Sequence, residues 1–206
     1  MSFEGNVTSV LYGLVGLYTL YRLYLARASF FDHVVTSEDF NLAVMIGLFV
    51  LTPFSVLVHE AGHYFTAEHF GATAIELHHR GSWGFVSYSA GPDFDSSTRL
   101  LISGAGPLLG VLLAFSSMAA AVALPVRRVI KKTLALYGLF GGFHILIGYP
   151  LIDLTSDLEG DFHTIYRLLP TAGVVVAGLA HALLVALLLV SWSRPPTREL
   201  FRDSSY

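Results

Sequence analysis

The chain has 206 residues, of which 54% are hydrophobic and 13% are charged, and its mean hydropathy is +0.63. Soluble domains carry about 25% charged residues, so this composition predicts an all-α polytopic membrane protein, integral and multi-pass, instead of a soluble globular domain. The formal net charge of −3 argues against nucleic-acid binding. Because the chain has no cysteine, disulfides, thiolate metal ligands and a cysteine nucleophile are excluded.

Five apolar segments are long enough to cross a bilayer, which needs about 20 residues. We expect about five transmembrane helices, at residues 7–26, 41–70, 99–124, 133–152 and 171–193. Since the sequence shows no internal repeat, low-complexity segment or appended soluble domain, residues 1–206 are predicted to form a single membrane-embedded domain. Its core lies at about 41–168, with one flanking span on each side. Pro53 is expected to kink the second span.

Residues 72–97 break the helical pattern between the second and third spans. Two β-prone stretches, Thr73 to His79 and Phe85 to Ser89, flank a turn that contains Gly81 and Gly84. This pattern predicts a short β-hairpin. Two interpretations stay open: a surface loop, or an edge strand beside a functional site that pairs with an extended peptide.

The distribution of Lys and Arg favours an outside N-terminus and an inside C-terminus. In that orientation nine basic residues lie inside and three outside. The inner set is Arg22, Arg27, Arg127, Arg128, Lys131, Lys132, Arg194, Arg198 and Arg202, and the outer set is Arg80, Arg99 and Arg167.

The second predicted span carries the sequence His59-Glu60-Ala61-Gly62-His63 near its C-terminal end. On a helix, positions i and i+4 share a face, so both imidazoles can reach one metal ion. Glu60 lies beside them, where it can take a proton from a water that the metal activates. Ionisable residues are costly in a membrane-length apolar run, which favours a functional role. We therefore expect His59 and His63 to be metal ligands and Glu60 to be catalytic.

A catalytic zinc ion has three protein ligands and one open position, so a third ligand is needed. His69 and Glu68 lie six and five residues beyond His63, which places them about 120° and 140° away from the metal face of a continuous helix. The acidic cluster after the fourth span is the better source of a carboxylate. Its members are Asp153, Asp157, Glu159 and Asp161.

The motif His59-Glu60-Ala61-Gly62-His63, followed by Ala67 and Gly71, resembles the H-E-x-G-H-x-x-x-A-x-x-x-G signature of site-2 proteases, the zinc intramembrane metalloproteases. Gly104-Ala105-Gly106-Pro107-Leu108 is similar to the A-G-P-L segment that opens the next core helix of that family. The resemblance covers about residues 41–168. It implies a site near the cytosolic face, whereas the charge distribution places the motif near the outer face, so the orientation stays open.

The third ligand in that family is an Asp with an aliphatic residue four positions later. Asp161 and Ile165 reproduce this spacing, while Asp157 has an acid at that position. The resemblance therefore implies Asp161 as the third ligand, with Asp157 second. No Asn precedes Pro150, where the family has one that helps to hold substrate. His144 is a candidate substitute, although a packed or water-bonded histidine is the plainer interpretation, as it is for His181.

The resemblance implies an intramembrane zinc metalloprotease, a peptide hydrolase with Zn²⁺ as cofactor. Its partners would be single-span or membrane-anchored protein substrates in the lipid bilayer, with no nucleic acid. A catalytically inactive membrane scaffold of the same fold is the alternative, and Phe162 in place of the family's Gly after the Asp favours it. A metal transporter is a third hypothesis, but no inverted repeat supports it. Glu60 discriminates, because a protease needs this base and a carrier or scaffold does not.

Overall fold

A computed structural model describes residues 3–91, 94–156 and 159–201 of the chain, and for residues 3–6 and 8 the backbone only. Within these residues the protein is mainly helical and has one two-stranded sheet. The helices are α1 (Phe3–Phe30), α2 (Ser37–Ile46), α3 (Thr52–His69), α4 (Ser96–Ala123), α5 (Arg128–Phe143), α6 (Tyr149–Thr155), α7 (Asp161–Leu168), α8 (Thr171–Ser193) and α9 (Pro195–Phe201). The strands are β1 (Thr73–His79) and β2 (Gly84–Ser89). The predicted all-α polytopic architecture and its hairpin are confirmed.

Four helical segments of the described chain are long and apolar enough to cross a membrane. They are Ser37–His69, Ser96–Ala123, Arg128–Thr155 and Thr171–Ser193, which correspond to the last four predicted spans. The first predicted span, 7–26, forms most of α1 but is less apolar than these four, because Arg22 and several tyrosines interrupt it. The side chains of Val176, Leu179 and Leu183 on α8 are 60–67% exposed, as expected where lipid surrounds a helix.

Two of the membrane-length segments contain a π-helical turn. Gly47–Leu51 joins α2 to α3, and His144–Gly148 joins α5 to α6. Each turn is followed by a proline, Pro53 or Pro150, in the first turn of the next helix. Because a proline has no N–H to donate within a helix, the regular i to i−4 hydrogen bonding is interrupted near it. The wider π-helical turn before each proline accommodates this interruption. The irregularity expected at Pro53 thus takes the form of a π-helical turn just before it.

The helix α4 lies between α3 and α5 and contacts both. Gly62 permits the close approach of α3 and α4, since a Cβ atom at this position would lie 2.7 Å from the carbonyl oxygen of Ala105. Any residue with a side chain would push the two helices apart. This contact brings the His59–His63 face of α3 directly against the backbone of α4.

The hairpin packs against α3. Its strands are antiparallel, with Leu77 opposite Val86 and a tight turn closed by a 2.9 Å hydrogen bond from Arg80 N–H to the Trp83 carbonyl. Gly81 in this turn has φ of +77°, the left-handed region that favours glycine. Antiparallel hydrogen bonds alternate along a strand, so the N–H and C=O groups of Gly84 and Val86 point away from β1. The outer edge of β2 therefore has main-chain groups available for another strand.

Asp95 caps the start of α4. Its carboxylate accepts hydrogen bonds of 2.7 Å from the Thr98 N–H and from the Ser97 hydroxyl. The bond from the Thr98 N–H, and then that from Ser97, lower the pKa of Asp95 from 3.8 to about 2. The folded state thus favours the charged carboxylate.

We predict that Asp95→Ala lowers the unfolding temperature at neutral pH, because α4 loses its cap. A carboxyl whose pKa is lowered on folding stabilises the protein above its ordinary pKa, and this contribution is lost as the pH falls through the folded value. The difference between wild type and variant should therefore be full above about pH 4 and shrink towards about pH 2. Circular dichroism of thermal unfolding in detergent micelles measures it, with Ser96→Ala as the control. A difference that is independent of pH would contradict the prediction.

Candidate metal centre

The three predicted ligands converge at one point. His59 Nε2 lies 3.0 Å from Asp161 Oδ2 and 3.1 Å from His63 Nε2, and the third side of the triangle, from His63 Nε2 to Asp161 Oδ2, is 3.3 Å. A tetrahedral zinc ion with bonds of about 2.0–2.1 Å separates its ligand atoms by about 3.3 Å. The triangle therefore has nearly the dimensions of a metal site, and these residues could hold a metal ion.

The orientation of His63 is fixed from the opposite side of its ring. Its Nδ1 lies 2.7 Å from the carbonyl oxygen of Ile102 on α4. Since a carbonyl only accepts, Nδ1 carries the proton, and a neutral His63 directs the lone pair of Nε2 towards the Asp161 carboxylate. Metal-binding histidines characteristically donate their other N–H to a carbonyl or carboxylate in this way. Two lone pairs that face each other are stabilised by a cation.

Gly106 on α4 provides the space for the ligand atoms. A Cβ atom at this position would lie 2.2 Å from His63 Nε2 and 2.7 Å from His59 Nε2. Any side chain would therefore occupy the position where the imidazoles meet. Helix packing accounts adequately for this glycine at the level of the sequence, but the structure gives it a more specific role.

Asp161 lies at the start of α7 and is held by Tyr149. The Tyr149 hydroxyl donates a 3.1 Å hydrogen bond to Asp161 Oδ2, and the Asp161 N–H donates one of 3.1 Å to the same hydroxyl oxygen. Burial by itself raises the pKa of the Asp161 carboxyl, but hydrogen bonds from His59 and His63, when these rings carry a proton on Nε2, outweigh burial and hold the pKa well below its usual range. The group is thus charged, which is the form that binds metal ions.

Asp153 supports the segment that presents Asp161. It is 1% exposed, and its two carboxylate oxygens accept hydrogen bonds from the backbone N–H groups of Gly160, at 2.7 Å, and His163, at 3.0 Å. Both oxygens are therefore committed to the backbone around the start of α7. Asp153 fixes the place where α7 begins and does not belong to the ligand triangle.

The remaining third-ligand candidates lie apart from the triangle or outside the described residues. His69 and Glu68 are exposed at the C-terminal end of α3. Glu159 is exposed and lies 3.3 Å from Arg167. Asp157 lies outside the described residues.

The two histidines of the later spans have separate surroundings. The ring of His144 stacks on Tyr149, with ring centroids 6.3 Å apart. His181 on α8 lies within hydrogen-bond distance, 2.6 Å, of the Leu146 carbonyl in the second π-helical turn, to which Nε2–H donates. His181 thus connects α8 to the turn that precedes Tyr149, in agreement with its interpretation as a packed histidine.

Glu60 is 5% exposed and lies beside β2, since a Cβ atom at Gly84 would be 2.9 Å from Glu60 Cγ. Two cavities meet at this residue. The strand-side cavity, of about 570 Å³, contains the ligand triangle and is bounded by residues of β2. The helix-side cavity, of about 240 Å³, lies among α3, α4, α5 and the second π-helical turn. His59, Glu60 and Tyr149 line both cavities.

No protein-family model, curated protein or solved structure matches this chain. The likeness to site-2 proteases therefore stays a prediction that rests on the motifs. The arrangement itself combines three features. Three side chains could hold a cation, a buried carboxylate lies beside them, and a cavity next to both is bounded by β2.

Several functional residues are not evident from the sequence pattern. Tyr149 carries no motif, and the Ile102 carbonyl is a backbone group that every residue has. Asp153 is visible as an acid of the cluster, but its spacing gives no sign that it serves the backbone of α7. One sequence signal could have indicated this role. Asp153 and Gly160 lie on either side of a short loop, and Asp side chains often accept hydrogen bonds from nearby backbone N–H groups.

We predict that Gly106→Ala abolishes metal binding, because the added methyl group takes the place of the ion between the two imidazoles. Gly104→Ala is the matched control, since a Cβ atom there meets nothing within 4 Å. Elemental analysis of both purified variants, together with circular dichroism to establish equal helix content, measures the effect. Wild-type metal content in Gly106→Ala would show that the triangle is not the metal site.

Proposed function

We propose that the protein is an intramembrane zinc metalloprotease that hydrolyses peptide bonds of membrane-spanning substrate proteins. The observation that carries the proposal is the convergence of His59, His63 and Asp161 within 3.3 Å of one another, beside the buried Glu60. His59 and His63 lie on α3 within a membrane-length apolar segment. Ionisable side chains are costly within a membrane-spanning helix, so a catalytic role would explain why they occur there.

The donor set favours zinc among the common metals. Two imidazoles, which are borderline ligands, and one hard carboxylate oxygen form a set that zinc accepts in a tetrahedral arrangement with an open fourth position. Magnesium and calcium prefer oxygen ligands, which are a minority in this set. When bound, zinc supplies Lewis acidity, which polarises a peptide carbonyl and makes a water molecule more acidic.

Glu60 is proposed as the general base. It takes a proton from the attacking water, and its position at the junction of both cavities gives it access to the substrate as well as to the ligand triangle. Hydrolysis adds the hydroxyl group of water to the carbonyl carbon and a hydrogen to the departing amine. Glu60 can carry that proton from one to the other.

The edge of β2 is proposed to hold the substrate in an extended form. A helical peptide hides its carbonyl groups in its own hydrogen bonds, so it must unwind before it is cleaved. Gly84 and Val86, whose N–H and C=O groups point away from β1, line the strand-side cavity. Pairing with these groups would give the unwound segment new main-chain partners next to Glu60.

We predict that Glu60→Gln retains zinc and loses at least about 100-fold in cleavage rate, since general-base catalysis contributes 10²–10⁴-fold. The assay uses purified protein in lipid vesicles, a fluorescent single-span model substrate and elemental analysis of bound zinc. His59→Ala is the companion variant and should lose both zinc and activity. Equal cleavage by wild type and Glu60→Gln would remove the protease proposal, and zinc binding without any cleavage by wild type would favour the scaffold hypothesis.

We predict that Val86→Pro reduces cleavage without changing zinc content. Proline removes the outward-facing N–H of Val86 and leaves the hydrogen bonds between β1 and β2 in place. Val86→Ala is the matched control, because it shortens the side chain and keeps the N–H. If both variants cleave the model substrate at the wild-type rate, pairing at this strand edge is not used.

A further inference from the structure

Of the three proposed metal ligands, His59 lines the helix-side cavity, while His63 and Asp161 do not. The cavity nevertheless lies directly beside the proposed reaction centre. It shares His59, Glu60 and Tyr149 with the strand-side cavity. A group that enters it from an extended peptide on β2 would therefore lie next to the bond that Glu60 helps to break. Such a position belongs to the side chain of a residue that flanks the cleaved bond.

The size and lining of this cavity fit one apolar side chain. Its volume is about 240 Å³, and its walls are mainly apolar. An apolar cavity of about 150 Å³ is already large enough to hold benzene. Three small residues, Gly110, Ala114 and Gly141, leave this space between α4 and α5.

Two of the polar side chains around the cavity contact other side chains. Tyr137 is hydrogen-bonded to Ser55, and His144 stacks on Tyr149. Among the described residues that line the cavity there is no Lys or Arg, and Glu60 is an acid. An acidic substrate side chain would thus find repulsion and no counter-charge, whereas an apolar one would lose only its contact with lipid or water.

We propose that the helix-side cavity is the specificity pocket of the enzyme and takes a medium-to-large apolar side chain, such as Leu, Met or Phe, from a residue next to the cleaved bond. The inference rests on the proposed protease function and adds a substrate class to it. Gly141 lines the pocket and has room for a side chain, because a Cβ atom there would lie in ordinary contact, 3.9 Å, with Ala114 Cβ. A side chain at position 141 can therefore fill the cavity without displacing the backbone.

The first experiment measures which residues flank the cut. The purified enzyme is incubated in lipid vesicles with a library of single-span peptides whose six central positions are randomised, and mass spectrometry identifies the products. We expect Leu, Met and Phe to exceed Ala by about tenfold or more at one flanking position, as a pocket that recognises individual methylene groups allows.

Two variants of Gly141 test the depth of the pocket. Gly141→Ala should lose cleavage next to Phe and retain cleavage next to Leu, while Gly141→Leu should shift the preference to Ala or Gly. Gly178→Leu on α8 is the matched control, since a Cβ atom there meets nothing within 4 Å and the residue lines neither cavity. Replacing a helical glycine by Ala or Leu also favours the helix, so the variants should fold.

A binding measurement separates this inference from the proposed reaction. In the Glu60→Gln background, the dissociation constants of three fluorescent single-span peptides that carry Ala, Leu or Phe at the selected position are compared with and without Gly141→Leu. If the wild-type enzyme cleaves nothing, a randomised library enriched by binding to Glu60→Gln defines that position instead. Selective binding that Gly141→Leu removes would then support the pocket although the protease proposal had failed.

Two results would overturn the pocket. One is an unchanged preference, in cleavage and in binding, when position 141 is filled. The other is a uniform decrease for all peptides in Gly141→Leu but not in Gly178→Leu, which would identify the cavity as a passage for water. Absence of selective binding in the Glu60→Gln background together with absence of cleavage would reject both proposals.

Discussion

The candidate site depends on the close approach of three electron-rich atoms, which belong to side chains that are only 10–15% exposed. His59 Nε2, His63 Nε2 and Asp161 Oδ2 lie within 3.3 Å of one another, although the helices that carry them are far apart in the chain. Lone pairs crowded in this way are unfavourable unless a cation or protons lie among them. Gly62 brings α3 against α4, Gly106 leaves room for the imidazoles, and the Ile102 carbonyl holds one ring in place. Each of these features serves the same convergence.

The rest of the polar network shows how this site avoids unpaired buried groups. Among the described residues, no buried side-chain nitrogen or oxygen lacks a hydrogen-bond partner. Asp153 uses both carboxylate oxygens on backbone N–H groups, and the Tyr149 hydroxyl both donates to Asp161 and accepts from it. Because these groups are buried, the internal partners replace solvation by water. The proposed reaction centre thus has its polar groups hydrogen-bonded on the protein side, while the two cavities leave space on the substrate side.

Hydropathy and local pattern predict most of the fold, because both depend on neighbouring residues. The four later predicted spans and the hairpin agree closely with the structure. The first predicted span is a helix of sufficient length, but its tyrosines and Arg22 make it less apolar than the other four. The pairing of His59 with His63 follows from helical spacing. The choice of Asp161 needs a resemblance, since the acids after the fourth span look alike in sequence. The roles of Asp153, Tyr149 and Gly106 arise only when distant segments meet, so no local signal announces them.

The distribution of the ligands along the chain has a consequence for biosynthesis. His59 and Asp161 are separated by 102 positions. Chains emerge from the ribosome N-terminus first, at roughly 5–20 residues per second, so α3 is made several seconds before α7. During that interval a nascent chain has two ligands and no carboxylate to close the triangle. A translation product that stops before α7 therefore has two imidazoles without the carboxylate. Under the proposed function, such a product would hold an ion less tightly than a chain that includes α7.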